Sequence, residues 1–111
     1  MTKLLDKQFL FTQLVADLIR WCYHNNYDLT FGEAYRTPEQ AALNAKRGIG
    51  ISNSLHTQRL AIDLNLFING EYQNSLEPYR PLGNYWKTLD PDCVWGGDWK
   101  SGDANHFELV V

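Results

Sequence analysis

The chain predicts an α+β domain, with two or three helices packed on a small antiparallel sheet. Three features lead there. Leu10, Leu14, Leu18 and Cys22 repeat every fourth residue, with Phe11, Val15 and Ile19 beside them, as on one wide helical face. Leu60 to Ile68 alternates apolar and polar residues and ends in Asn69-Gly70, a hairpin signal. Turn-forming residues divide the rest into short runs. At 111 residues the chain is expected to form a single domain, 1–111, large enough for one core. Its 44% hydrophobic and 21% charged residues exclude a disordered, collagenous or coiled-coil chain. A net charge of −3 and a pI near 5.5 argue against a nucleic-acid binder that works by neutralising phosphates.

In order, the first helix is expected to take Asp6 as its cap and to end at Asn25-Asn26. Tyr27 to Tyr35 reads as a strand, with Leu29 and Phe31 alternating against Asp28 and Thr30. Thr37, Pro38 and Gln40 have the spacing of a capped helix start, and Gly48 ends that helix. Gly48 to Ser54 reads as a loop. Leu60 to Ile68 is a strand, and Glu71 to Gln73 begins its return. A short helix is expected between Pro78 and Leu89, starting near Pro81. Asp90 to Asp103 reads as loop, and His106 to Val111 as the closing strand.

Cys22 and Cys93 lie in no Cys-x-x-Cys pair and are expected to be free, buried thiols. Met1 to Ile19 carries Lys3, Asp6, Lys7 and Asp17 and is followed by no small-x-small cleavage site, so no export signal and no membrane insertion are expected.

The chemistry rests on a few residues. His24, at the end of the first helix, suits a solvated histidine favoured by the helix dipole. Asp63 falls on the strand face opposite the leucines, where it faces a cleft or, if both faces are covered, is a buried carboxylate that needs a partner or a metal. His106 opens the last strand on the same face as Glu108, three residues after Asp103. Two imidazoles and a carboxylate make a catalytic zinc site with one position open, and a further carboxylate near its water is the usual general base. His56, Asp63 and His106 offer such a ligand set, with Asp103 as base. Spacing alone equally allows a strand aspartate bonded to backbone amides and two ordinary histidines.

Ser54-x-His56-x-x-x-x-Ala61-x-Asp63 resembles the Ser-x-His-x-x-Gly-x-Ala-x-Asp signature of the zinc D-alanyl-D-alanine carboxypeptidase family, which also contains L-alanyl-D-glutamate endopeptidases of phage endolysins. Asp103-Ala104-Asn105-His106 is similar to its second signature. Trp95-Gly96-Gly97-Asp98-Trp99, His106-Phe107-Glu108 and Gly32-Glu33-Ala34-Tyr35-Arg36-Thr37-Pro38-Glu39-Gln40 resemble strings of the endolysin-type branch. One departure is that the signature glycine is Arg59 here, which bears on the path of that loop.

The resemblance implies a Hedgehog/DD-peptidase-like fold and one Zn²⁺ per chain, held by His56, Asp63 and His106. It implies Asp103 as base and then acid, and Arg36 beside the scissile carbonyl or a substrate carboxylate. It also implies Ser54 and Trp95 at the substrate, with Trp99 as a second wall of the cleft. Without it, an ion pair with Glu33 or Glu39 accounts for Arg36, a turn-capping hydroxyl for Ser54, and core-edge packing for Trp95 and Trp99. The implied activity is hydrolysis of the peptidoglycan stem peptide, preferably at L-alanyl-D-glutamate. The enzyme would be a monomer made in the cytoplasm and released to the wall through a membrane pore. The alternatives are a D,D-carboxypeptidase or D,D-endopeptidase, or a wall-binding module without turnover.

Overall fold

The computed structural model describes residues 3–49 and 54–111. Among these, α1 (Lys3–His24) leads into β1 (Asp28–Phe31) and α2 (Pro38–Lys46). A 3-10 turn (Leu55–Gln58) then precedes β2 (Ala61–Ile68) and β3 (Glu71–Tyr72). Finally come α3 (Leu76–Leu89), β4 (Cys93–Trp95), a second 3-10 turn (Gly96–Asp98) and β5 (His106–Leu109). The strands form one antiparallel sheet in the order β1-β2-β5-β4, with β3 added to the end of β2. The expected α+β arrangement is present.

Alternation along β2 sets the two faces. Leu60, Leu64 and Leu66 are fully buried and meet Phe107 and Leu109 of β5. Phe11, Leu14, Val15, Leu18 and Cys22 of α1 and Tyr79, Leu82 and Trp86 of α3 complete this core. Trp86 packs edge-on to Phe11 and Phe107, with ring centroids 5.9 and 6.1 Å away. Its buried Nε1 donates to the Val94 and Glu108 carbonyls at 3.1 and 3.2 Å, so its polar atom is satisfied where β4 and β5 meet. Ala61 and Asp63 point to the opposite face, which carries the polar residues discussed below.

Local chemistry explains several boundaries. Asn69 and Gly70 have φ of 53° and 79°, as a type I′ turn requires, and they return the chain into β3. Thr37 caps α2 by accepting from Gln40 N at 3.0 Å, and Gly48, with φ of 75°, follows the end of that helix.

Four boundaries differ from expectation. α1 begins at Lys3, before Asp6, because Lys3, Leu4 and Leu5 are good helix formers and Asp6 suits the first turn through the dipole. β1 ends at Phe31, and Gly32 to Tyr35 continues only as extended chain. α3 begins at Leu76 and holds Pro81 inside. Pro78, in the first turn, lacks an N–H that would be unbonded there anyway. The bond lost at Pro81 is offset by complete burial of Leu82 and Trp86 and by a bidentate Arg80–Glu77 pair. The segment Asp90 to Asp103 contains a strand, β4, because Cys93 and Trp95 are buried beside β5. The expected Gly48 to Ser54 loop falls largely on residues 50–53, outside the described residues. Both cysteines are free and buried, and burial pushes each thiol up to about 12.

Trp95 is locked from two sides. A Cβ on Gly83 of α3 or on Gly97 would each stand 2.1 Å from its indole. Gly83→Ala is therefore expected to lower unfolding stability by about 2 kcal/mol through overpacking. An unchanged urea midpoint in that variant would show that the contact yields freely.

Candidate metal centre

The antiparallel register of β2 and β5 sets Asp63 directly opposite His106. On the same face the next pair is Ala61 and Glu108. The third residue, His56, arrives from the 3-10 turn before β2. Ser54 caps that turn by accepting from His56 N at 3.2 Å, so the structure gives Ser54 the capping position. Arg59 closes it with φ 58° and ψ 35°, the left-handed conformation that a glycine adopts freely.

The ring orientations are fixed from behind. His56 Nδ1 lies 3.1 Å from the Ala34 carbonyl, which only accepts, so Nδ1 donates and Nε2 turns inward. His106 Nε2 lies 2.7 Å from Glu108 Oε1, which leaves Nδ1 to face Asp63. His56 Nε2 and His106 Nδ1 then stand 3.3 and 3.2 Å from the same oxygen, Asp63 Oδ1. Ligand atoms on a tetrahedral zinc, with bonds of about 2.0–2.1 Å, are separated by roughly 3.3 Å. The three donor atoms all lie within 4.8 Å of one another, and the imidazole–carboxylate–imidazole set fits Zn²⁺ with one position open.

Asp103 approaches from the β4–β5 connection. Its N–H donates to the Gly96 carbonyl at 3.0 Å, and its Oδ2 is 3.8 Å from His106 Nδ1. Gly96 permits this, since a Cβ there would stand 2.5 Å from the Asp103 carbonyl oxygen and 2.9 Å from His106 Cβ. Gly32 plays the same part on the other side, where a Cβ would meet Asp63 Cβ at 2.9 Å. The Trp95–Trp99 string is thus explained residue by residue. Trp95 fills core, Gly96 admits Asp103, Gly97 lies on the Trp95 ring, Asp98 pairs with Lys87, and Trp99 comes within 4.9 Å of the His106 ring.

The structure corrects one expectation. Trp95 is fully buried, with Nε1 donating to the Ala104 carbonyl at 2.7 Å, so it has no surface to offer a substrate. Trp99, 38% exposed, is the tryptophan at the site. Arg36 is mostly buried and ion-paired with Glu33, one of the two acids that spacing offered it. Its charge still reaches Asp103. Two carboxylates were given no part at the metal centre from the sequence. Glu108 could have been given one, by its place two residues after His106 on the same strand face. Glu33, read from spacing only as a partner for Arg36, lies 3.9 Å from His56 Nδ1.

Burial disfavours the Asp63 charge, yet the hydrogen bond from His106 and the approach of His56 hold its carboxyl down at about 2. Burial likewise opposes a charged His106, but Asp63 and Glu108 push it up to about 9. Burial raises the Asp103 carboxyl, against the pull of His106 and with Asp63 adding to the rise.

A family model described as D-alanyl-D-alanine carboxypeptidase matches residues 47–109, more than half of the chain, and spans His56, Asp63, Asp103 and His106. The chain belongs to that family. It is a zinc metallopeptidase, and peptidoglycan is the polymer on which it acts. The fold agrees with two solved structures of the class. The L-Ala D-Glu endopeptidase ChiX of Serratia marcescens superposes with a TM-score of 0.72 at 21% identity, over 89% of this chain and 79% of that one. A mutant of the vancomycin resistance D,D-pentapeptidase VanY from a VanB-type resistance cassette, in complex with Zn(II), superposes with a TM-score of 0.62 at 17% identity, over 91% and 71%. Among curated proteins nothing matches.

In the zinc-free peptidase, His106 is expected to titrate near 9 rather than 6.5, readable from its ring proton shifts. Its pKa is raised by folding, so its contribution to stability is complete below about 6.5 and disappears as pH climbs through about 9. The urea midpoint of zinc-free protein should fall across that window. A midpoint that stays level there would contradict the Asp63–His106–Glu108 arrangement.

Proposed function

We propose that this peptidase hydrolyses the L-alanyl-D-glutamate bond of the stem peptide, with His56, Asp63 and His106 as the zinc ligands. The observation that carries the reading is the meeting of His56 Nε2, Asp63 Oδ1 and His106 Nδ1, with the Asp103 carboxylate 3.8 Å from the last of them.

Bound zinc supplies Lewis acidity for the scissile carbonyl and lowers the pKa of water. The chain supplies the rest. Asp103 takes the proton of the attacking water and returns it to the leaving nitrogen. Its raised pKa suits a group that must both accept and give. Glu108 and Ala34 hold the two rings so that one nitrogen of each stays directed inward. Arg36, steadied by Glu33, stands as the cation for a developing oxyanion or a substrate carboxylate. Ser54 holds the His56 turn, and Trp99 walls the cleft.

The Trp95–Trp99 and His106–Glu108 strings favour the endopeptidase over a D,D-carboxypeptidase, and the likeness to ChiX, an L-Ala D-Glu endopeptidase, agrees with that preference. On this reading the enzyme serves phage or prophage lysis, acting as a monomer that reaches the wall through a membrane pore. No described helix is long and apolar enough to cross a membrane.

Asp103→Asn is expected to keep one zinc per chain and lose at least about 100-fold in turnover of purified cell wall. Wild-type turnover in that variant would remove Asp103 from the mechanism. Mass spectrometry of fragments released by the wild type should show new amino-terminal glutamate. Free D-alanine as the sole product would assign the carboxypeptidase activity instead. Chelation should abolish release, and added zinc should restore it.

A further inference from the structure

Asp103 also lines a cavity of about 210 Å³ between the end of β3, the start of α3 and the chain entering β5. Resting on the L-alanyl-D-glutamate reading, we propose that this cavity receives the substituent next to the leaving nitrogen and selects an uncharged, N–H-bearing group there. The group is the α-carboxamide of an amidated stem glutamate, in preference to the free α-carboxylate.

The first step is positional. Asp103 must come within hydrogen-bond reach of the leaving nitrogen to return its proton. In the stem peptide the glutamate chain continues through its side-chain carboxyl, so its α-carboxyl group hangs from the carbon bonded to that nitrogen. That group therefore lies beside Asp103, the residue that this cavity shares with the metal centre.

The second step is chemical. The lining contains a carboxylate, two primary amides and two phenols, and no basic side chain. Tyr79 is fully used, donating to the Gln73 carbonyl at 3.0 Å and accepting from Leu66 N at 2.9 Å. Asn105 donates through Nδ2 to Asn65 Oδ1 at 3.1 Å, and its Oδ1 accepts from no described residue. Asp103 and Asn105 Oδ1 thus present acceptors. A carboxamide offers them two N–H donors, whereas a carboxylate offers only lone pairs and a like charge against Asp103. Asn74 and Tyr72 line the exposed mouth and remain open to either group.

The test uses the zinc-loaded full chain and two synthetic stem peptides that differ only in carboxamide against carboxylate at this position. Products are identified by mass spectrometry. Cleavage before the glutamate with kcat/KM at least tenfold higher for the carboxamide is expected. Asn74→Lys, at an exposed lining position, should raise the rate on the carboxylate peptide and narrow that ratio. Equal rates, or a preference for the carboxylate, with cleavage at the same bond would overturn this proposal and leave the assigned bond standing. Release of terminal D-alanine from both peptides would overturn the bond assignment and this proposal with it, since a free carboxylate would then adjoin the leaving nitrogen.

Discussion

Asp63 holds two imidazoles on one oxygen, and most of the site is arranged around that contact. The carboxylate and both rings are largely buried, where an unpaired charge costs several kcal/mol. Pairing makes the placement tolerable. In the zinc-free protein Asp63 stays ionised and His106 carries both protons, each donated to a carboxylate. To hold zinc, His106 would give up the proton on Nδ1 while the proton on Nε2 stays with Glu108, so metal binding and proton release would be linked.

The geometry follows from a register more than from any loop. β2 and β5 are clamped from the core side by Leu64, Leu66, Phe107 and Trp86, and a slip of one residue would turn Asp63 into the core and Leu64 out. The hydrophobic face of the sheet therefore enforces the polar one. Asp103 is added to this rigid pair by a loop that approaches closely because Gly96 lacks a side chain, and Gly32 lets the chain after β1, whose Ala34 carbonyl fixes the His56 ring, run against Asp63. Such contacts leave little room for the ligands to drift, which suits a centre whose bond lengths vary by tenths of an ångström.

Much of this was legible in the sequence because it is written in periodicity. The alternation from Leu60 to Ile68 gave the strand, its faces and the position of Asp63. The Thr37-Pro38-Gln40 spacing and Asn69-Gly70 marked a cap and a turn that the fold contains. The residues that mislead are those whose role depends on distant partners. Pro81 reads as a helix start until the burial of Leu82 and Trp86 is known. Trp95 reads as a cleft wall until Gly83 and Gly97 are seen to close on it. Cys93 to Trp95 is too short to show a period, and only the edge of β5 makes it a strand. Arg36 reads both ways, and the structure pairs it with Glu33 while keeping its charge within reach of Asp103.

Arg59 shows how a broken signature can leave the site intact. Its left-handed backbone is the conformation that the family's glycine would take without cost, and for arginine it costs about 1–2 kcal/mol. Against this, its guanidinium lies 3.9 Å over the Tyr35 ring, an exposed contact worth about 0.5–1 kcal/mol. The contact offsets part of the backbone cost. The stack has a second effect that a glycine could not supply. It ties the turn that carries His56 to the segment whose Ala34 carbonyl fixes the His56 ring, while Arg36 N binds the His56 carbonyl at 3.2 Å. The substitution that most disturbs the motif therefore adds a fastening between the two pieces of chain that orient the first ligand.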